Sequence, residues 1–135
     1  MPDYKMPYNN GGNIDSKPSL LIVEDNPDIS NYLKTSLQED YKLSFAPDGE
    51  VGIKLALEEI PDLILSDVMM PKKDGFELCV FLKNDLRTSH IPLILLTAKS
   101  DYESKIRGLK RGADVYMGKP FDEDELKVQL KRLYE

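Results

Sequence analysis

Cysteine is almost absent from this 135-residue chain: Cys79 is the single one, so it cannot close an internal disulfide, and a reducing, cytoplasmic setting fits. Histidine is as scarce, and His90 has no partner at metal-ligand spacing. No apolar run approaches the roughly 20 residues needed to cross a bilayer, and the first residues lack the charged and apolar blocks of a secretory signal. Positive charge is in deficit, with 18 Lys and Arg against 24 Asp and Glu and a net charge of -6. That balance leaves no basic stripe for a phosphate backbone, so this segment is not expected to bind nucleic acid directly. What remains, 41% hydrophobic content, suffices for one buried core and is too little for two ordinary domains. Residues 1–18 mix Pro, Gly, Asn and both charges and read as a flexible tail or linker, and residues 19–135 read as one folded unit.

From Leu20 onward, short apolar runs alternate with amphipathic stretches, the pattern of βα units around a parallel sheet. Leu20–Val23, Leu63–Leu65 and Leu93–Leu96 are apolar almost throughout, as central strands covered on both faces require. Tyr41–Ala46 and Asp114–Met117 mix polar and apolar residues, which suits the two edges. The spacing predicts a first helix opened by Asn26 and Pro27, with Ile29, Tyr32, Leu33 and Leu37 on its inner face. Asp48 caps a second through Leu57, and the pairs Asp74 with Glu77, Ser100 with Glu103 and Asp122 with Glu125 have capping-box spacing for three more. The fourth ends near Gly112, and the fifth buries Leu126, Leu130 and Leu133.

The reactive side chains fall at the carboxyl ends of these strands. Glu24 and Asp25 follow the first, Asp67 the third, Thr97 the fourth and Lys119 the fifth. In open α/β sheets that edge is where ligands bind, so these residues are expected to converge. Carboxylates crowded together repel one another and need a cation. Oxygen-only ligands favour a hard ion, and a shallow site that keeps waters favours Mg²⁺, with Mn²⁺ a possible substitute. A lysine and a hydroxyl facing a metal-bound carboxylate match the equatorial oxygens of a phosphoryl group.

The strings LLIVEDN from Leu20, SDVMMPKKDG from Ser66, ILLTAKSD from Ile94 and ADVYMGKPF from Ala113 resemble the receiver domains of bacterial two-component response regulators, from about Leu20 to Leu133. The stretch from Ser66 through Asp101 is also similar to receivers of hybrid sensor histidine kinases. The resemblance implies an α/β, flavodoxin-like doubly wound (βα)5 fold with five parallel strands in the order 2-1-3-4-5. It implies Asp67 as phosphoacceptor from a histidine kinase or phosphotransfer domain, and Mg²⁺ held by Glu24, Asp25, Asp67 and the backbone carbonyl of Met69. Many members have Asp where this chain has Glu24. Lys119 pairs with the phosphoryl group, Thr97 moves onto it, Tyr116 follows as the switch aromatic, and Lys119-Pro120 is a cis peptide. Met69 and Lys99 flank the path of an attacking water and tune the acyl phosphate's lifetime. The implied output face spans the fourth helix, fifth strand and fifth helix, serving an output domain, a partner or a phosphorylation-dependent homodimer, with transcription regulation as the expected output. Such a chain is no turnover enzyme beyond promoting its own dephosphorylation, and it is cytoplasmic, or on the cytoplasmic side of the membrane within a hybrid kinase.

Each residue also has a plain structural reading: Asp67 as a turn cap before Pro71, Thr97 at a helix entry, Lys119 as a surface charge, Tyr116 as packing. Cys79 among Phe76, Leu78, Val80 and Phe81 reads as buried and apolar, His90 as structural or solvated, and Lys105, Arg107, Lys110 and Arg111 as either a wet face or a docking face. Three other functions compete. One is a phosphate-independent receiver acting as a binding module. A second is a Mg²⁺-dependent haloacid-dehalogenase-like phosphohydrolase, against which Met69 stands where an acid/base is needed. A third is a flavin carrier, against which the acidic loop after the first strand counts.

Overall fold

A computed structural model describes residues 17–70, 72–97, 106–107, 110 and 112–135. Five strands, β1 (Ser19–Val23), β2 (Lys42–Ala46), β3 (Leu63–Asp67), β4 (Leu93–Thr97) and β5 (Val115–Gly118), form one parallel sheet in the order β2-β1-β3-β4-β5. This is the doubly wound arrangement the sequence implied. The winding reverses between β1 and β3, which places a crevice at their carboxyl ends. β3 and β4 are buried along their whole length, whereas β2 is half-buried or exposed at all but one position, as an edge strand should be.

Alternation along the strands divides the core into two layers. Leu21, Val23, Ile64, Leu93 and Leu95 pack on one face against α2 (Gly49–Glu59) and α3 (Gly75–Asn84). Leu20, Ile22, Leu63, Leu65, Ile94 and Leu96 pack on the other against α1 (Pro27–Leu37) and the C-terminal helix (Glu123–Tyr134). Fully burying each such leucine or isoleucine contributes about 1.5–3 kcal/mol, which fixes the strand ends that carry the polar groups.

The caps mostly follow the sequence. Asn26 Oδ1 accepts from the Asp28 and Ile29 amides at 2.8 and 3.3 Å, Asp48 Oδ1 from Val51 at 2.9 Å, and Asp74 and Glu77 form the reciprocal box. Asp122 instead accepts from Asp124 at 2.8 Å. The pair Ser100 and Glu103 lies outside the described residues; of the segment that follows, Ile106, Arg107 and Lys110 are described and helical. Gly112 has φ 97°. One inward placement is corrected: Tyr32 is 47% exposed, because it sits at the margin of the α1 stripe and turns toward Phe121 and Glu123. Cys79 is buried and His90 exposed.

At the opposite end of the sheet from the crevice, Lys83 on α3 donates to the Ile91 carbonyl at 2.6 Å and pairs with Asp114 Oδ2 at 3.0 Å. Asp114 Oδ2 also accepts from the Leu93 amide at 2.8 Å. One carboxylate thus joins α3, β4 and the approach to β5. Asp114→Ala is expected to cost about 1–2 kcal/mol by urea unfolding, because it strands two donors. Asp114→Asn, which keeps an oxygen for Leu93, should cost distinctly less.

Candidate functional site

The parallel ladders bring the predicted residues to one edge. Val23 pairs with Ser66, Asp67 with Leu96, and Thr97 with Gly118, so Glu24, Asp67, Thr97 and Lys119 emerge side by side. Backbone bonds hold each exit: the Glu24 amide donates to the Ala46 carbonyl at 2.9 Å, the Val68 amide to Leu96 at 2.8 Å, and the Lys119 amide to Thr97 at 2.6 Å. The turn beyond β5 contains a cis Lys119-Pro120 peptide.

Carboxylate oxygens of Glu24, Asp25 and Asp67 lie within 4.8 Å of one another, with Glu24 and Asp67 buried and Asp25 exposed. Lys119 reaches into this group, its Nζ 2.9 Å from Asp67 Oδ1 and 3.2 Å from Glu24 Oε1. Three carboxylates against one ammonium leave the cluster short of positive charge. Burial holds the Asp67 carboxyl above its usual range despite the opposing bond from Lys119, and Asp25 adds repulsion. Burial likewise raises Glu24, which the Asn26 amide at 3.1 Å and Lys119 counteract while Asp67 adds to the rise. For Lys119, burial acts downward, but its bond to Asp67 and the charges of Asp67 and Glu24 prevail, so it stays protonated well past neutrality.

This donor set fits a hard divalent cation: it is all oxygen, two of its members are desolvated, and the open side at Asp25 leaves room for water. Thr97 is buried at the end of β4 next to this cluster. Tyr116 faces the same side as its register partner Leu95 and packs, half-buried, against the α2 and α3 layer. The Met69 side chain is 71% exposed in the loop after β3, and Lys99 lies outside the described residues.

Two features escaped the sequence reading. The acidic caps Asp48 and Asp74 are each followed by a glycine, Gly49 and Gly75, at which the loop between β3 and α3 comes within contact distance of backbone. The repeated Asp-Gly was the available signal. The groove of Ile29, Tyr32, Pro120 and Phe121 beside Lys119 had none, since it joins residues about 90 positions apart, as the Tyr32 hydroxyl shows by donating to Glu123 at 3.0 Å.

Among the described residues no helix is long and apolar enough to cross a membrane. Residues 20–131 match the response regulator receiver domain family. The chain is 43% identical over 88% of its length to histidine kinase P4 of Formosa agariphila, of which it spans 9%. It is 42% identical over 86% of its length to the DNA-binding dual master transcriptional regulator RpaA of Synechocystis, spanning about half of that protein (48%). The receiver domain of a sensor histidine kinase from Pseudomonas aeruginosa, solved with a magnesium ion coordinated in its active-site cleft, superposes with a TM-score of 0.82 at 28% identity, covering 88% of this chain and 98% of that one. With the fold, the convergent strand ends and the family match in agreement, the chain belongs to the response regulator receiver domains, the signalling domains of two-component systems.

Proposed function

We propose that this receiver, comprising residues 19–135 behind an 18-residue tail, is a switch driven by phosphorylation of Asp67. The observation that carries this reading is the Lys119 ammonium bonded to Asp67 beside two further carboxylates, a nucleophile with its counter-charge already aimed. An Asp67 carboxylate oxygen attacks the phosphorus of a phosphohistidine on a kinase or phosphotransfer domain. The P–N bond breaks, the imidazole leaves and takes up a proton, and an acyl phosphate forms on Asp67. Mg²⁺, or Mn²⁺ in its place, held by Glu24, Asp25, Asp67 and the Met69 carbonyl, would supply positive charge to the phosphoryl oxygens. Lys119 turns from the bare carboxylate to a phosphoryl oxygen, and the Thr97 hydroxyl donates to another.

The new group brings about -1.5 to -2 charges and three acceptors to the ends of β3 and β4. Because it binds one arrangement of Thr97 and Tyr116 better than the other, it shifts the population of the face built from the segment before β5, β5 and the C-terminal helix. That face meets an output domain, a partner protein or a second copy. A DNA-binding transcriptional regulator and a hybrid histidine kinase among the relatives support transcription control as the output, in a cytoplasmic protein or in the cytoplasmic part of a hybrid kinase. Met69 and Lys99 flank the water that hydrolyses the acyl phosphate and so set the lifetime of the signal.

Intact mass after incubation with acetyl phosphate and Mg²⁺ should show one phosphate adduct, absent with EDTA and absent in Asp67→Asn. An unmodified chain under every metal condition would leave a phosphate-independent binding module. The raised carboxyl values of Glu24 and Asp67 also make stability depend on pH in a fixed sense. Both groups hold protons more tightly folded than unfolded, so their contribution is complete below the ordinary carboxylate range and lost as pH rises through the raised values. Urea midpoints in chelator should therefore fall as pH rises through that window. Glu24→Gln should flatten the fall and raise the midpoint at neutral pH, and Mg²⁺ should stabilise the wild type more than this variant.

A further inference from the structure

We infer that Gly49 is a positioning residue for the cation: the first turn of α2 is the abutment against which the loop between β3 and α3 is set, and with it the height of the Met69 carbonyl. A Cβ at Gly49 would overlap the Lys73 carbonyl oxygen and lie 2.8 Å from the Lys73 carbonyl carbon. Those are backbone atoms, which cannot swing aside as a long side chain would, so the missing side chain of Gly49 sets how far the loop descends. The abutment is itself fixed. One turn further along α2, a Cβ at Gly52 would lie 2.9 Å from methyl carbons of both Val23 and Leu78, so α2 is seated on β1 and α3 without slack.

The other end of the loop is held in the same manner. The Gly75 amide donates to the Val68 carbonyl at 2.8 Å, and a Cβ at Gly75 would overlap the Asp67 carbonyl oxygen. Between these two grips Lys72 has φ 70°, a left-handed conformation that a non-glycine residue adopts only under strain. A surrounding structure that over-determines the loop maintains such a conformation. The 4.0 Å approach of Lys72 Nζ to Asp48 Oδ2 ties the strained residue to the α2 cap, although the lysine is 60% exposed and the pair is weak. Gly49, Asp48 and Lys72 hold no cation themselves; they act through the loop that carries Met69.

This rests on the reading that Glu24, Asp25, Asp67 and the Met69 carbonyl hold Mg²⁺, so the test separates the two. Mg²⁺ is titrated calorimetrically into the wild type, Gly49→Ala, Asp48→Asn and Asp25→Asn at fixed ionic strength, and exchange of the Gly75 amide is followed in chelator. Gly49→Ala should weaken Mg²⁺ by about tenfold, the low end of the loss when a supporting group behind metal ligands is disturbed, and should speed Gly75 exchange without metal. Asp48→Asn, which keeps a capping oxygen and loses only the Lys72 pair, should weaken it about twofold. A Gly49→Ala chain that melts earlier yet binds Mg²⁺ as the wild type does overturns the inference. If Gly49→Ala does not melt cooperatively, unchanged Mg²⁺ affinity in Asp48→Asn overturns it instead. Undiminished affinity in Asp25→Asn would overturn the metal site beneath it.

Discussion

The repulsion among Glu24, Asp25 and Asp67 is the constraint around which the rest of this molecule is arranged. Three carboxylates meet within 4.8 Å only because β1 and β3 are adjacent, parallel and buried, so their carboxyl ends cannot separate. Two of the three are desolvated, which holds their carboxyl groups above the ordinary range even with Lys119 bonded to them. The sheet's apolar layers stabilise an arrangement that its polar edge opposes. That opposition is what makes the edge responsive to added charge, since a cation or a phosphoryl group changes a balance that is already unfavourable.

Lys119 gives the site its direction. It arrives from β5, two strands away from β3, and bonds both Asp67 and Glu24, so a direct ion pair joins Asp67 to the end of β5. The Lys119 amide bonded to the Thr97 carbonyl ties the same turn to the end of β4. Far from this edge, Lys83 and Asp114 hold the opposite ends of β4 and the approach to β5. A sheet pinned at one end and charged at the other offers a physical basis for the proposed two-state switch.

The fold and the convergence of the strand ends were legible in the sequence because they depend on local patterns. Uninterrupted runs such as Leu93–Leu96 announce strands covered on both faces, and a reactive residue directly after such a run must lie at its carboxyl end. Asn26, Asp48 and Asp74 cap as their spacing implies, because a cap is decided within four residues. What failed or was missed depends on contacts between distant segments. Tyr32 satisfies the helical period, yet the period marks a broad stripe, and a tyrosine at its margin is drawn outward by Glu123. Asp122 is a local case: it caps the C-terminal helix as its position implies, through the Asp124 amide. The contact of Gly49 with the Lys73 backbone and the Lys83–Asp114 tie depend on how α2 and α3 settle on the sheet, which no local pattern encodes.

The proposed switch requires that Asp67, out of three clustered carboxylates, is the one that becomes covalently modified. Hydroxylamine intercepts an acyl phosphate at its carbonyl, expelling phosphate and leaving a hydroxamate on the residue that carried it. Peptide mapping of the protein treated with acetyl phosphate, Mg²⁺ and hydroxylamine should place the hydroxamate on Asp67 alone. A hydroxamate on Glu24 or Asp25, with Asp67 unmodified, would rule out Asp67 as the phosphoacceptor.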